Sequence, residues 1–216
     1  MIRTRVAMEP GAVHYLLARP MSEEPTGDDV PADVTMWRRT LSGVPPMPQV
    51  GAPLEVRRAR VEDAGALAAL LGSAFEGETW DAAGVEREVL CDPTVRAILV
   101  VAAGRRLVST ASLQVRPESP GSGWVRWVAT NPDRRREGLA RAVVIGVLEL
   151  AAQAGCMDAY LDTRTDRLAA IRLYMQLGFE PLVADGWERA SAVSGSHEVP
   201  REVWQRVLGA LCAQAG

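Results

Sequence analysis

The chain contains no lysine, and all 24 of its basic side chains are arginines. No lysine is therefore available as a Schiff-base former, a general base or a phosphate ligand. Cysteine is scarce too. Cys91, Cys156 and Cys212 are odd in number, far apart and without a CxxC pair, which excludes a disulfide framework and a cysteine zinc site; no metal is expected. Met1–Arg5 is not followed by an apolar stretch, so no secretory signal is predicted. No run approaches the ~20 apolar residues of a membrane span, and a cytoplasmic location without membrane contact is expected. The formal net charge is -3. Without a basic excess or a GxxxxGK[ST] loop, nucleic acid and nucleotide partners are disfavoured.

What is present is apolar and punctuated. Apolar residues make up 48% of the 216, enough for one domain with an extension. Residues 1–53 carry Pro20, Pro25, Pro31, Pro45, Pro46, Pro48 and Pro53. They read as a proline-rich extension and linker, ordered at most over 13–18 and 34–40, and a candidate for homodimer contacts. The domain is expected over 54–216. Its pattern predicts a strand at 54–60, helices at 62–72 and 82–90, and a hairpin of strands at 95–102 and 107–115. A strand at 124–130, a long helix at 137–154 and a short strand at 157–163 follow. A helix capped by Thr165 or Asp166 then ends at Gly178, with one or two strands within 179–193 and a last helix at 200–212. This order predicts an α/β fold of the α+β kind: a mixed, mostly antiparallel sheet with helices on both faces.

Chemistry concentrates at Val128-Ala129-Thr130-Asn131-Pro132-Asp133-Arg134-Arg135-Arg136-Glu137-Gly138-Leu139-Ala140. A strand passes through a basic turn directly into a helix, whose first amides lack intrahelical partners and, with the helix dipole, form an anion site. Gly138 and Ala140 leave room for phosphate oxygens, and the arginines add charge suited to a pyrophosphate. Pro132 stops the strand; the gap beyond it exposes backbone groups to an extended amide-bearing ligand. A second segment, Asp162–Phe179, holds a strand and a helix ending in Tyr174-Met175-Gln176-Leu177-Gly178-Phe179. On spacing alone, Tyr174 reads as a core tyrosine.

Together these segments resemble motifs of the GNAT superfamily of N-acetyltransferases. Arg135, Gly138 and Ala140 match (Gln/Arg)-x-x-Gly-x-(Gly/Ala). Ala170, Ile171, Leu173, Tyr174, Leu177, Gly178 and Phe179 match the second motif, and the likeness covers about residues 54–185. The resemblance implies a splayed central strand pair and acetyl-CoA as co-substrate. Val128, Ala129 and Thr130 would pair with pantetheine amides. The amides of Arg136, Glu137, Gly138, Leu139, Ala140 and Arg141 would hold the pyrophosphate, with Arg135 beside them. Arg167 and Ala170 would also contact CoA, although Arg167 stands where the family has Asn. Tyr174 would protonate the departing thiolate after direct amine attack through a tetrahedral intermediate.

The acceptor would be a small-molecule amine or a protein or peptide N-terminus. The strand Trp124-Val125-Arg126-Trp127-Val128 lacks the carboxylate that many members use as a base. Glu76, Glu78, Asp162 and His197 are substitutes without a spacing argument. Trp80, Trp124, Trp127 and Trp187 line either an acceptor pocket or the core. The alternative on the same fold is a non-catalytic acyl-CoA-binding module.

Overall fold

The computed structural model of the chain describes residues 32–75, 79–183, 197 and 199–214. It is a mixed α/β protein with two compact units, Arg39–Ala159 and Met1–Arg38 with Tyr160–Gly216. Among the described residues there are seven strands: β1 (Asp33–Arg38), β2 (Leu54–Arg58), β3 (Val95–Ala103), β4 (Arg106–Gln114), β5 (Ser122–Thr130), β6 (Asp158–Arg164) and β7 (Glu180–Pro181). The helices are α1 (Ala64–Ala74), α2 (Ala82–Val85, continued as a wider π turn over Glu86–Leu90), α3 (Leu139–Gln153), α4 (Leu168–Gln176) and α5 (Arg201–Ala213).

In the Arg39–Ala159 unit, β2, β3, β4 and β5 form an antiparallel meander. Alternation along β3 sends Ile98, Val100 and Ala102 to one face, where Leu67, Leu70 and Leu71 of α1 and Val85 and Val89 of α2 cover them. The opposite face meets α3, where Gly146 admits the Leu99 side chain. A Cβ there would sit 2.6 Å from Leu99 Cδ1. Helices thus cover both faces, as the element order predicts. Burial also explains why the valine-rich run 143–147 is helical: Val143, Val144, Ile145 and Val147 are almost wholly enclosed, and packing overrides the preference of β-branched residues for strands.

In the other unit the strand order is β6, β1, β7, with β1 and β7 antiparallel. The ordered run expected over 34–40 is therefore β1. Thr35 Oγ1 donates to Asp162 at 2.7 Å, and the Trp37 and Tyr160 rings stack at 6.0 Å. Arg38 is buried and donates to the Leu177 carbonyl at the end of α4. Trp204 of α5 donates its indole N–H to the Leu182 carbonyl at 3.1 Å.

The expected cap of α4 is corrected by the structure. Thr165 Oγ1 accepts the Ala32 amide at 3.0 Å, and Asp166 binds Arg164 at 2.8 Å. Both side chains are taken by closer partners, and Arg167 becomes the uncapped N-terminal residue. Residues expected to form further strands beyond 183 lie outside the described residues.

Candidate functional site

β5 leads into the basic turn by way of a distortion. Thr110 faces Ala129 and Ser112 faces Arg126, so Trp127 and Val128 together oppose the single residue Ala111. This is a β-bulge, with Trp127 in the left-handed region at φ 48°. Such a backbone favours glycine, and holding tryptophan there costs about 1–2 kcal/mol. Past the bulge, Ser109 ties the strand end down: its hydroxyl donates to the Ala129 carbonyl at 3.0 Å and meets Thr130 Oγ1 at 2.8 Å.

Asn131 then turns the chain. Its amide donates to the Val108 carbonyl at 2.9 Å, and its side-chain oxygen accepts from the Asp133 amide at 2.9 Å. Pro132 opens a single 3-10 turn. Two more left-handed residues follow, Arg136 at φ 68° and Gly138 at φ 77°. Alternating backbone handedness of this kind turns successive N–H groups toward a common concavity that suits an anion. No side chain caps α3. The first bond closing the helix runs from the Ala142 amide to the Gly138 carbonyl at 3.0 Å, which leaves the Leu139, Ala140 and Arg141 amides without intrahelical partners. A Cβ on Gly138 would meet nothing within 4 Å. The glycine thus serves the left-handed backbone and leaves the space above it open.

The three arginines of the turn are not equivalent. Arg134 grips Glu137 through two bonds of 2.6 and 2.7 Å. The guanidinium hydrogen-bonded to Glu137 holds that carboxyl below the usual range. Arg135 and Arg136 are exposed, and among the described residues neither forms an ion pair. Val128, Ala129, Thr130, Arg135, Arg136, Glu137, Gly138, Leu139, Ala140 and Arg141 all lie in one unit, along the end of β5 and the turn into α3, where Glu137 clamps Arg134.

Arg167, Ala170 and Tyr174 belong to the other unit. The Ala170 amide already donates to the Arg167 carbonyl at 3.0 Å, so its backbone is engaged. Tyr174 is buried and meets Phe179 edge-on at 6.1 Å between centroids. Burial pushes its hydroxyl up to about 12, against a smaller lowering by the Arg167 charge. The phenol therefore stays protonated near neutrality.

The substitute bases fare less well. Asp162 is occupied by Thr35. His197 is exposed and is fixed through its backbone, which donates to Thr35 Oγ1 at 2.7 Å. Glu76, Glu78 and Trp187 lie outside the described residues. Trp124 is core, fully buried with the Arg116 guanidinium 3.7 Å above its ring. Trp80 and Trp127 are half-buried against the α1 face. Sequence reasoning missed the bulge, whose only written trace is the adjacency of Arg126 and Trp127 where alternation would put them on opposite faces. Among the described residues no cluster of metal-ligating side chains occurs, and no helix is long and apolar enough to cross a membrane.

Comparison with known proteins agrees with this layout. Residues 66–179 match the family model described as Acetyltransferase (GNAT) family. A stretch of 48 residues is 42% identical to N-acetyltransferase 8 of Homo sapiens, covering 22% of this chain and 21% of that protein. An acetyltransferase of the GNAT family from Novosphingobium aromaticivorans superposes with a TM-score of 0.51 at 26% identity, covering 69% of this chain and 61% of that one. The fold is also that of AAC(6')-Iy, solved with a bisubstrate analogue of CoA (TM-score 0.53, 18% identity, 64% of this chain and 98% of that one). The chain thus spans about a fifth of the curated relative and about three fifths of the first solved structure.

Proposed function

Because the chain belongs to the GNAT acetyltransferase family, we propose that it transfers an acetyl group from acetyl-CoA to an amine. The observation that carries this reading is the uncapped start of α3 behind the left-handed Arg136 and Gly138. Among the described residues no side chain accepts from the first amides of α3, and an uncapped helix start flanked by arginines fits a pyrophosphate. The amides from Arg136 to Arg141 would bind it, with the Arg135 and Arg136 guanidinium groups adding charge-assisted contacts. The backbone of Val128, Ala129 and Thr130 would pair with the pantetheine amides as an added strand does. Arg167 and Ala170 are proposed as further CoA contacts, Ala170 through its side chain because its amide is engaged.

In the reaction the amine nitrogen attacks the thioester carbonyl, the C–N bond forms and the C–S bond breaks; the proton that the nitrogen loses passes to solvent, from which the phenol that protonates the leaving sulfur regains its own. Tyr174 is proposed to give its proton to the leaving sulfur, a role suited to a phenol that burial keeps protonated. The acceptor class is a small-molecule amine or a protein N-terminus. The cytoplasm is the proposed compartment, consistent with Cys91, Cys156 and Cys212 all being free.

Calorimetry with acetyl-CoA, paired with thiol release across a panel of amines, tests the reading. Binding with turnover supports it; binding without turnover on any amine leaves a CoA-binding module, and no binding overturns it.

A further inference from the structure

The β5 bulge places two consecutive side chains on one face. Trp127 packs against the α1-side cluster, and the Arg126 guanidinium carbon lies 5.5 Å from the centroid of the Trp127 ring. Arg126 is half-buried, yet among the described residues no carboxylate pairs with it. A half-buried guanidinium lying over a ring face, with no carboxylate beside it among the described residues, is suited to receive an anion.

Its place along the strand says which anion. With phosphates at the amino end of α3 and pantetheine on Val128–Thr130, the donor runs back along β5 at about 3.3 Å per residue. The acyl end then falls at Trp127, and what lies beyond it is the acceptor. We propose that the acceptor amine carries an oxyanion, a carboxylate or a phosphate, which Arg126 binds while the Trp127 ring covers the rest of the molecule. This rests on the acetyl-transfer reading above. Arg126 is thereby a specificity-determining residue, and its positive charge repels polycationic acceptors.

Two matched pairs of amines provide the test: phenylalanine against phenethylamine, and phosphoethanolamine against ethanolamine. Each is titrated into the protein saturated with acetyl-CoA. Thiol release and the indole N–H resonance of Trp127, identified by its loss in Trp127→Phe, are followed together. For at least one pair the anion-bearing member should give kcat/KM at least about tenfold higher and shift the Trp127 signal, since charge-assisted bonds are worth that much. Arg126→Gln should erase the preference mainly through KM and leave the acetyl-CoA dissociation constant unchanged. The pair that responds tells a carboxylate from a phosphate.

Equal or better response to the neutral members, no response to either acid, or an equal loss on all amines in Arg126→Gln overturns the proposal while the acetyl-transfer reading stands. Failure of acetyl-CoA to bind the unaltered protein removes both.

Discussion

Two helix starts in the same unit are built on opposite plans. At α2 the Asp81 carboxylate accepts the Gly84 amide at 2.6 Å. This start is closed by the protein's own acid. At α3 the acid is turned away: Glu137 faces back to Arg134, and Gly138 offers no side chain at all. A capped start contributes to stability, whereas an open one stores unsatisfied donors for something that arrives later. The contrast separates a helix start that serves folding from one proposed to serve a ligand.

The contrast breaks most sharply at Gly138. Gly138→Val places a β-branched residue in the left-handed region and a side chain over the open amides. We expect the dissociation constant for acetyl-CoA to rise about 100-fold or more by calorimetry, because two or more charge-assisted bonds are lost. Tyr174→Phe should come next. The kcat should fall about 100-fold, in line with loss of a general acid, with acetyl-CoA binding unchanged.

The same variant carries a pH signature. The folded-state pKa of Tyr174 lies above its unfolded value of about 10, so its contribution to stability is fully present below about pH 10. It is lost as pH rises toward about 12, an effect of about 2–3 kcal/mol. Denaturant titrations between pH 9 and 12 should show that decline in the unaltered protein and not in Tyr174→Phe. Smaller again is Asp81→Ala. Loss of the α2 cap should cost about 1 kcal/mol of stability and leave acetyl-CoA affinity untouched. A fall in affinity matching that of Gly138→Val would erase the distinction between the two helix starts.

Much of the fold is legible in the residue pattern. A nearly continuous apolar run over 95–102 followed by a glycine-arginine turn pointed to the hairpin of β3 and β4, and the 3.6-residue spacing of Leu139, Val143, Val147 and Leu150 pointed to α3 to within a turn. The arginine-glycine turn pointed to an anion because helix starts are physically anionophilic whatever surrounds them. Less legible was anything decided by competition between partners. Thr165 and Asp166 have the chemistry of caps, yet each has a nearer use, with Ala32 and Arg164 respectively. Trp124 and Trp127 look equivalent in the sequence; one is core and the other strained at a bulge, because the register of β5 against β4 slips between them. Glu137, expected to open the long helix, lies ahead of it and clamps Arg134.

Arg38 sets a limit on how the protein can be shortened. Its guanidinium lies so close to Gly178 that a methyl group added there would overlap it, and Gly178 itself takes a left-handed φ of 81°. An arginine contributed from the proline-rich leading segment thus closes the carboxyl end of the helix that bears Tyr174. A truncation beginning at Leu54 would discard that closure together with the strand seated between β6 and β7. The shortened chain would forfeit the support of its proposed acid while keeping every residue proposed to hold the pyrophosphate.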